Sequence, residues 1–502
     1  MSAVVIALVL IAVMVALACY VGYQLLLQHG RLLLRLEALE HRLEASGIAP
    51  APGEPTVLPD LNLGGNTDLG RQLYVAEHLR AKDVTLKGEV QRVRDGNHRR
   101  KGEQANPVTC LKVRGPFKGP GGYDHHVREF VRQLHRQGVT VELRDIPEWS
   151  PAKLPAFMRD PWFDSLDKPS NARVVLHFCM PHQIVAETSR VNINYTMFEA
   201  TRICPAWVAV AHNRPSDLIV LPTESSQQAW IASGVPAEQI RLCPLGINTT
   251  LFSAPITPLP LARESGEPLS TYKVRFLNVS ELGPRKNLLG LLRAWLRATS
   301  RHDDALLIIK LSCSSPQRLA RFRSQLDLLQ EQLRKAWHDV APVHFIYDLF
   351  PDAAMPRVYA AATHYISMSF GEGWDQAMVE AAAAGLKLIA PNHSAYTAYL
   401  DPSCAHLITS REIPAVSKDF ADDLGMLFEN ANWWEPDEEE AMTFIRSAIE
   451  GSDGGKLPPR DRILRDFTWE NASRRLISII GEAQAQRKWR GPWPRPRVYR
   501  RA

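Results

Sequence analysis

"THYISMSFGEGWDQAMVEAAAAGLKLIAP", residues 363 to 391, reads in succession as strand, turn, helix and strand. "THYISMS" carries the aromatic and β-branched residues of a strand, and Gly371 to Asp375 form the turn beyond its C-terminal edge. Gln376 to Ala384 are good helix formers, and Gly385 follows as a C-cap. "LKLIAP" then returns as the next strand. A helix opening directly beyond a strand presents unpaired backbone N–H groups and the positive end of its dipole, which suits a diphosphate. Glu372 stands before that opening and Glu380 inside the helix, so two carboxylates flank the place where phosphates would sit.

The same alternation extends in both directions. Upstream, "VTCLKVRG" reads as a strand, "GPFKGPGGYDHH" as a glycine-bearing turn, "HVREFVRQLHRQG" as a helix and "VTVELRD" as a second strand. Further strands are expected at "ARVVLHFC", "RVNINYTMF" and "DLIVLPT". After the short polar stretch "ESGEPLSTY", a new series runs through "KVRFLNVS", "ALLIIKLSC" and "VHFIYDLF" to the opening segment. The fold class expected is α/β, with two doubly wound, Rossmann-like domains over 106–268 and 269–466 facing a central cleft. Ligands of such open sheets sit beyond the C-terminal strand ends. A chain of 502 residues is long enough for two such cores plus additions.

Composition, at 45% hydrophobic and 23% charged, excludes global disorder. The seven cysteines form no CxxC pair and no metal-ligand rhythm, which excludes a disulfide framework and a structural zinc and fits a reducing compartment.

The ends of the chain are of another kind. "AVVIALVLIAVMVALACYVGYQLLL" (3–27) has no charge, and at about 1.5 Å per residue it spans the hydrocarbon core of a bilayer. A transmembrane anchor over 1–30 is therefore expected in place of a cleaved signal peptide. Arg31 and Arg35 follow it directly and nothing basic precedes it, which puts the rest of the chain in the cytoplasm, on the inner face of the membrane. An amphipathic stalk and a proline-rich linker occupy 31–60. The stalk either pairs in a homodimer or lies along the protein or the headgroups. Residues 61–105 are a basic polar segment, with Arg92, Arg94, Arg99, Arg100 and Lys101 either solvated or drawn to anionic lipid. Residues 467–502 hold a last amphipathic helix and the basic, aromatic tail "RKWRGPWPRPRVYRR". That tail is assigned to the cytoplasmic leaflet or to solvent, and no nucleic acid is expected as a partner.

Four segments, in order, resemble the retaining GT4-type members (glycosyl transferases group 1) of the GT-B glycosyltransferases. They are "GPGGYDHHVREFVRQLHRQGVTVEL", "LPTESSQQAWIASGVPAEQIRLCPLGINTTLF", "LNVSELGPRKNLLGLLRAW" and "EGWDQAMVE", the last matching an E-x7-E pattern. Each alone is a weak signal, and the ordered set is specific. The resemblance implies transfer of a sugar from a nucleoside-diphosphate sugar to a glycan or lipid-linked acceptor, in cell-surface polysaccharide synthesis. Arg285 and Lys286 would meet the charge that develops on the leaving diphosphate, in place of a metal; no metal and no cofactor are expected. Glu372, Gly373, Trp374 and Asp375 would hold the donor sugar, Glu380 the ribose diol, and Gln376 and Ala377 the opening of the helix. Gly121 and Gly122, with Gly119, would form the glycine loop on the donor side, or simply a tight turn.

The chain departs from the pattern on the acceptor side. Where many relatives place a histidine, "NINYTMFEAT" carries Glu199, which either orients substrate or heads a helix. His177 and His182 in "LHFCMPHQ" are the other acceptor candidates, each otherwise a structural histidine. Two further classes stay open: a non-catalytic nucleotide- or glycan-binding scaffold, and a glycoside hydrolase using Glu372 and Glu380 as its carboxylate pair.

Overall fold

The computed structural model describes residues 108–490, apart from 151, 214–215, 254, 264–265, 314, 416–424 and 453. The expected anchor, stalk, linker and basic segment, and the tail after 490, lie outside the described residues. Among the described residues, no helix is long and apolar enough to cross a membrane.

Two parallel six-stranded sheets follow one another along the chain. The first holds β1 (Cys110–Arg114), β2 (Thr140–Arg144), β3 (Val174–Phe178), β4 (Val191–Tyr195), β5 (Leu218–Leu221) and β6 (Ile240–Leu242), in the order β2-β1-β3-β4-β5-β6. The second holds β7 (Val274–Glu281), β8 (Ala305–Ser312), β9 (Val343–Ile346), β10 (His364–Ile366), β11 (Lys387–Pro391) and β12 (His406–Ile408), in the order β12-β11-β10-β7-β8-β9. β3, β4 and β5 are buried along their whole length because both faces of the sheet are covered, which is why they read as unbroken apolar runs. An antiparallel pair, β13 (Ser410–Pro414) with β14 (Asn432–Pro436), completes the strands; the sequence gives no hint of it or of the three-residue β6 and β12.

Four helices position the site. α1 (Gly122–Arg136) follows β1, α2 (Leu288–Ala298) follows β7, and α3 (Gln376–Ala384) follows β10. α4 (Trp469–Arg490) returns from the second domain to the first. Its entry is a close backbone crossing: the Ile247 N–H donates to the Phe467 carbonyl at 3.0 Å, and the Trp469 N–H to the Ile247 carbonyl at 3.3 Å. A methyl group on Gly246 would lie 2.2 Å from the Trp469 nitrogen, so only glycine fits. Beyond the crossing the buried Trp469 ring sits 5.2 Å from Phe130 of α1, and Cys243 and Ala472 meet behind it.

Counted from β7, the second sheet has the third-second-first-fourth-fifth-sixth order of a dinucleotide fold, and its direction reverses between β7 and β10. A crevice for ligand opens at such a reversal, outside the strand ends. The Arg285–Lys286 loop leaves one of those two strands and the Glu372 turn leaves the other.

Candidate active site

The loop after β7 ends in a single turn, Pro284–Lys286, and Asn287 leaves it in the left-handed region at φ 48°. The Asn287 side chain caps α2 by accepting the Gly290 N–H at 3.2 Å, and its amide donates to the Met368 carbonyl at 3.0 Å. The Phe370 N–H donates to the Arg285 carbonyl at 2.8 Å. The two loops at the reversal are thus stitched backbone to backbone, and the side chains they carry are brought together.

Glu372 is the centre of that cluster, with 5% of its side chain exposed. Arg285 reaches one carboxylate oxygen at 2.8 Å, Lys286 the other at 2.6 Å, and the Ser369 hydroxyl donates to it at 2.8 Å. Arg285 also donates to the Gly371 carbonyl and stands 3.6 Å from Glu199. Burial pushes the Glu372 carboxyl up, but Arg285 and Lys286 outweigh it and hold it below the usual carboxylate range. Asp375 is pushed up, first by burial and then by the Glu372 charge. It caps α3 at φ 57° by accepting the Met378 N–H at 3.4 Å, and it takes the Tyr396 hydroxyl at 2.8 Å.

Loop geometry on the far side of Glu372 comes from β11. Burial lowers His393 to about 3, so its ring is neutral. The Ser394 oxygen accepts the Glu372 N–H at 3.1 Å and is in hydrogen-bond contact with His393 Nδ1 at 2.9 Å. Neither residue stands out in the sequence, since the contact spans more than twenty positions and a His-Ser pair is common; a position just after a strand end is the one signal they carry.

The first domain closes over this turn. A methyl on Gly371 would lie 2.4 Å from the Glu199 carbonyl oxygen, and one on Gly373 3.0 Å from the Met197 side chain. Glu199 therefore lies in the loop after β4 facing Arg285; the next helix starts only at Pro205, so it heads none. Trp374 is buried, its ring against Tyr399 and Phe467, with its carbonyl accepting the Tyr399 hydroxyl. Gln376 donates to the Gly246 carbonyl at 3.0 Å and to Glu380 at 3.2 Å, and Ala377 packs on the core. Glu380 is pushed up by burial, against the pull of His125 and of hydrogen bonds from Tyr359 and Gln376. His125 of α1 meets Asp352 of the second domain at 3.1 Å, with Arg128 behind it at 3.5 Å.

The remaining sequence candidates make no hydrogen bond or ion pair to the Glu372 cluster among the described residues. Gly121 precedes α1 as its cap, and Gly122 has open space around its Cα; the glycine that space demands is Gly119, where a methyl would lie 2.5 Å from Ser150. His177 is fully buried within β3, bonded to Asn192 at 3.1 Å and lowered by burial to about 4. His182 is exposed and accepts the Trp207 indole N–H at 3.1 Å.

No family model and no curated relative matches the chain. Solved structures do. Anabaena HepE, in complex with UDP and glucose, superposes with a TM-score of 0.50 at 12% identity, over 74% of this chain and 100% of that one. OtsA, in its apo form, superposes with a TM-score of 0.50 at 10% identity, over 75% of this chain and 99% of that one. The fold is GT-B. In the GT-B arrangement Glu199 comes from the first domain and Arg285, Lys286 and Glu372 from the second, so the cluster lies where the two domains meet.

Proposed function

We propose that this chain is a retaining, metal-independent glycosyltransferase of GT4-like type, which moves a sugar from a nucleoside-diphosphate sugar to a glycan or lipid-linked acceptor. The observation that carries the reading is the convergence of Arg285 and Lys286 on the turn before α3, at the reversal of strand order. The Glu372 carboxylate now sits between those cations. A donor diphosphate would share them, and departure of the nucleoside diphosphate adds charge that fixed cations and helix amides meet without reorganising. Glu372, freed in part, would face the sugar hydroxyls; Glu380, one helix face further on, would take the ribose. Glu372 held ionised by two cations is poorly suited to donate a proton, which weighs against a hydrolase acid in that position.

Residues 1–30 would tether the body to the inner face of the membrane, raising the effective concentration of an acceptor that is itself membrane-bound. The test is incubation of the full chain with UDP-, GDP- and ADP-sugars in EDTA, following diphosphate release and the anomeric coupling of the product by proton NMR. Release with retained configuration is expected. An inverted product contradicts retention, loss of turnover in EDTA contradicts metal independence, and nucleotide binding with no turnover from any donor turns the reading into a scaffold.

A further inference from the structure

Beside the donor turn stands an aromatic pair that the donor reading leaves unused. The chain leaving β2 turns through Trp149, whose ring lies 4.6 Å from that of Tyr123, and both are only partly exposed. Each is fixed at its far end. The Tyr123 hydroxyl accepts the Met197 N–H at 2.9 Å and lies 3.4 Å from the Thr196 hydroxyl. The residue after Trp149, Ser150, donates to buried Asp124 at 2.6 Å, and the other oxygen of Asp124 takes the Gly119 N–H at 2.5 Å. Met197, at the Tyr123 end, presses on Gly373, the residue after Glu372. A rigid wall thus runs from Trp149 through Tyr123 to the donor turn. Asp145, in the same loop and within the influence of the Lys118 and Lys153 charges, has one buried oxygen without a partner.

We propose that Trp149 and Tyr123 form the acceptor subsite and that it takes a pyranose ring, so the group that receives the transferred sugar belongs to a saccharide. This rests on the glycosyltransferase reading. An aromatic face carries the negative end of a quadrupole and attracts the polarised C–H face of a sugar, while the indole N–H and a carboxylate oxygen match its hydroxyls. A lipid chain would call for a continuous apolar wall, but the neighbours here are Asp145, the exposed Glu148 and partly exposed Lys118.

The experiment is saturation-transfer NMR of the full chain, in a detergent without a sugar headgroup and with UDP present. The probes are methyl β-D-glucopyranoside, methyl β-D-galactopyranoside and methyl α-D-mannopyranoside, with a polyprenyl phosphate as the lipid control. At least one glycoside should bind. Trp149→Ala should then weaken it about tenfold and Trp149→Phe no more than about threefold, with the UDP-induced thermal shift retained in both. Equal glycoside binding in wild type and Trp149→Ala, or binding of the polyprenyl phosphate and of no glycoside, overturns the proposal. Absence of any shift with UDP, GDP or ADP in the wild type overturns the donor reading instead, and the dependence of glycoside binding on Trp149 still decides the platform.

Discussion

Glu372 shows how a buried carboxylate is kept charged: neither Arg285 nor Lys286 alone saturates it, and each takes one of its oxygens. Replacing Lys286 by Ala leaves a buried charge with half its compensation and removes one fixed cation from the departing diphosphate. A fall of about 10²-fold in kcat is expected, the loss typical of one preorganised contact to developing charge, with a smaller change in KM, measured by steady-state turnover. An unchanged kcat would place the leaving group elsewhere. The pair Arg285–Lys286 and both glutamates were legible because each lies in a contiguous pattern tied to a strand end. His393 and Ser394 were not, since the Ser394 hydroxyl becomes informative only when the fold brings it to the Glu372 amide more than twenty positions away. Nothing in the sequence marks Ser369, only three positions from Glu372, as a partner of that carboxylate. His177, in sequence either an acceptor contact or a structural histidine, lies within β3, which is buried along its whole length, and its Nε2 meets Asn192.

At the scale of elements, α3 runs from Gln376 to Ala384 with Gly385 as its C-cap, as its composition predicts, because cap, propensity and turn all agree there. Most strands that sequence reading found carry apolar runs, and the three-residue β10 is marked instead by the turn and helix that follow it. β6 and β12 are three residues each, and β13 carries Ser, Arg, Glu and Pro with one Ile, so neither apolar period nor propensity marks them. α4 joins the domains through Trp469, which touches Phe130 and His125 of α1. Trp469→Ala should cost about 3–5 kcal/mol, the usual loss for truncating a buried tryptophan, and lower the thermal midpoint by several degrees. A midpoint within about one degree of wild type would mean that α4 contributes little to holding the domains together.

At the scale of the whole molecule, the two domains meet through charge as well as backbone. Burial alone would lower the pKa of His125, but Asp352 at 3.1 Å, with Glu129 and Glu380 nearby, lifts it above the ordinary value, while His125 and Arg128 overcome burial to lower that of Asp352. A raised histidine stabilises fully below its unfolded pKa of about 6.5, and that contribution is lost as pH rises through the higher folded value; the lowered aspartate contributes above about 3.9 and fails only in stronger acid. The thermal midpoint should therefore decline as pH rises from about 6.5, and His125→Gln should flatten that decline; an identical slope in both would remove the pair from the account. This contact was invisible in the sequence because it joins residues more than two hundred positions apart, whereas the two-domain layout itself was legible from the repeated strand–helix rhythm. The central claim is that a nucleoside diphosphate docks between Arg285, Lys286 and the opening of α3. It is tested most directly by thermal denaturation of the full chain with UDP, GDP and ADP, in wild type and in the Arg285→Ala, Lys286→Ala double variant. At a hundredfold excess over Kd, one nucleotide should stabilise the wild type by about 2.7 kcal/mol, a shift of several degrees, and the double variant hardly at all; an equal shift in both, or none in either, would contradict it.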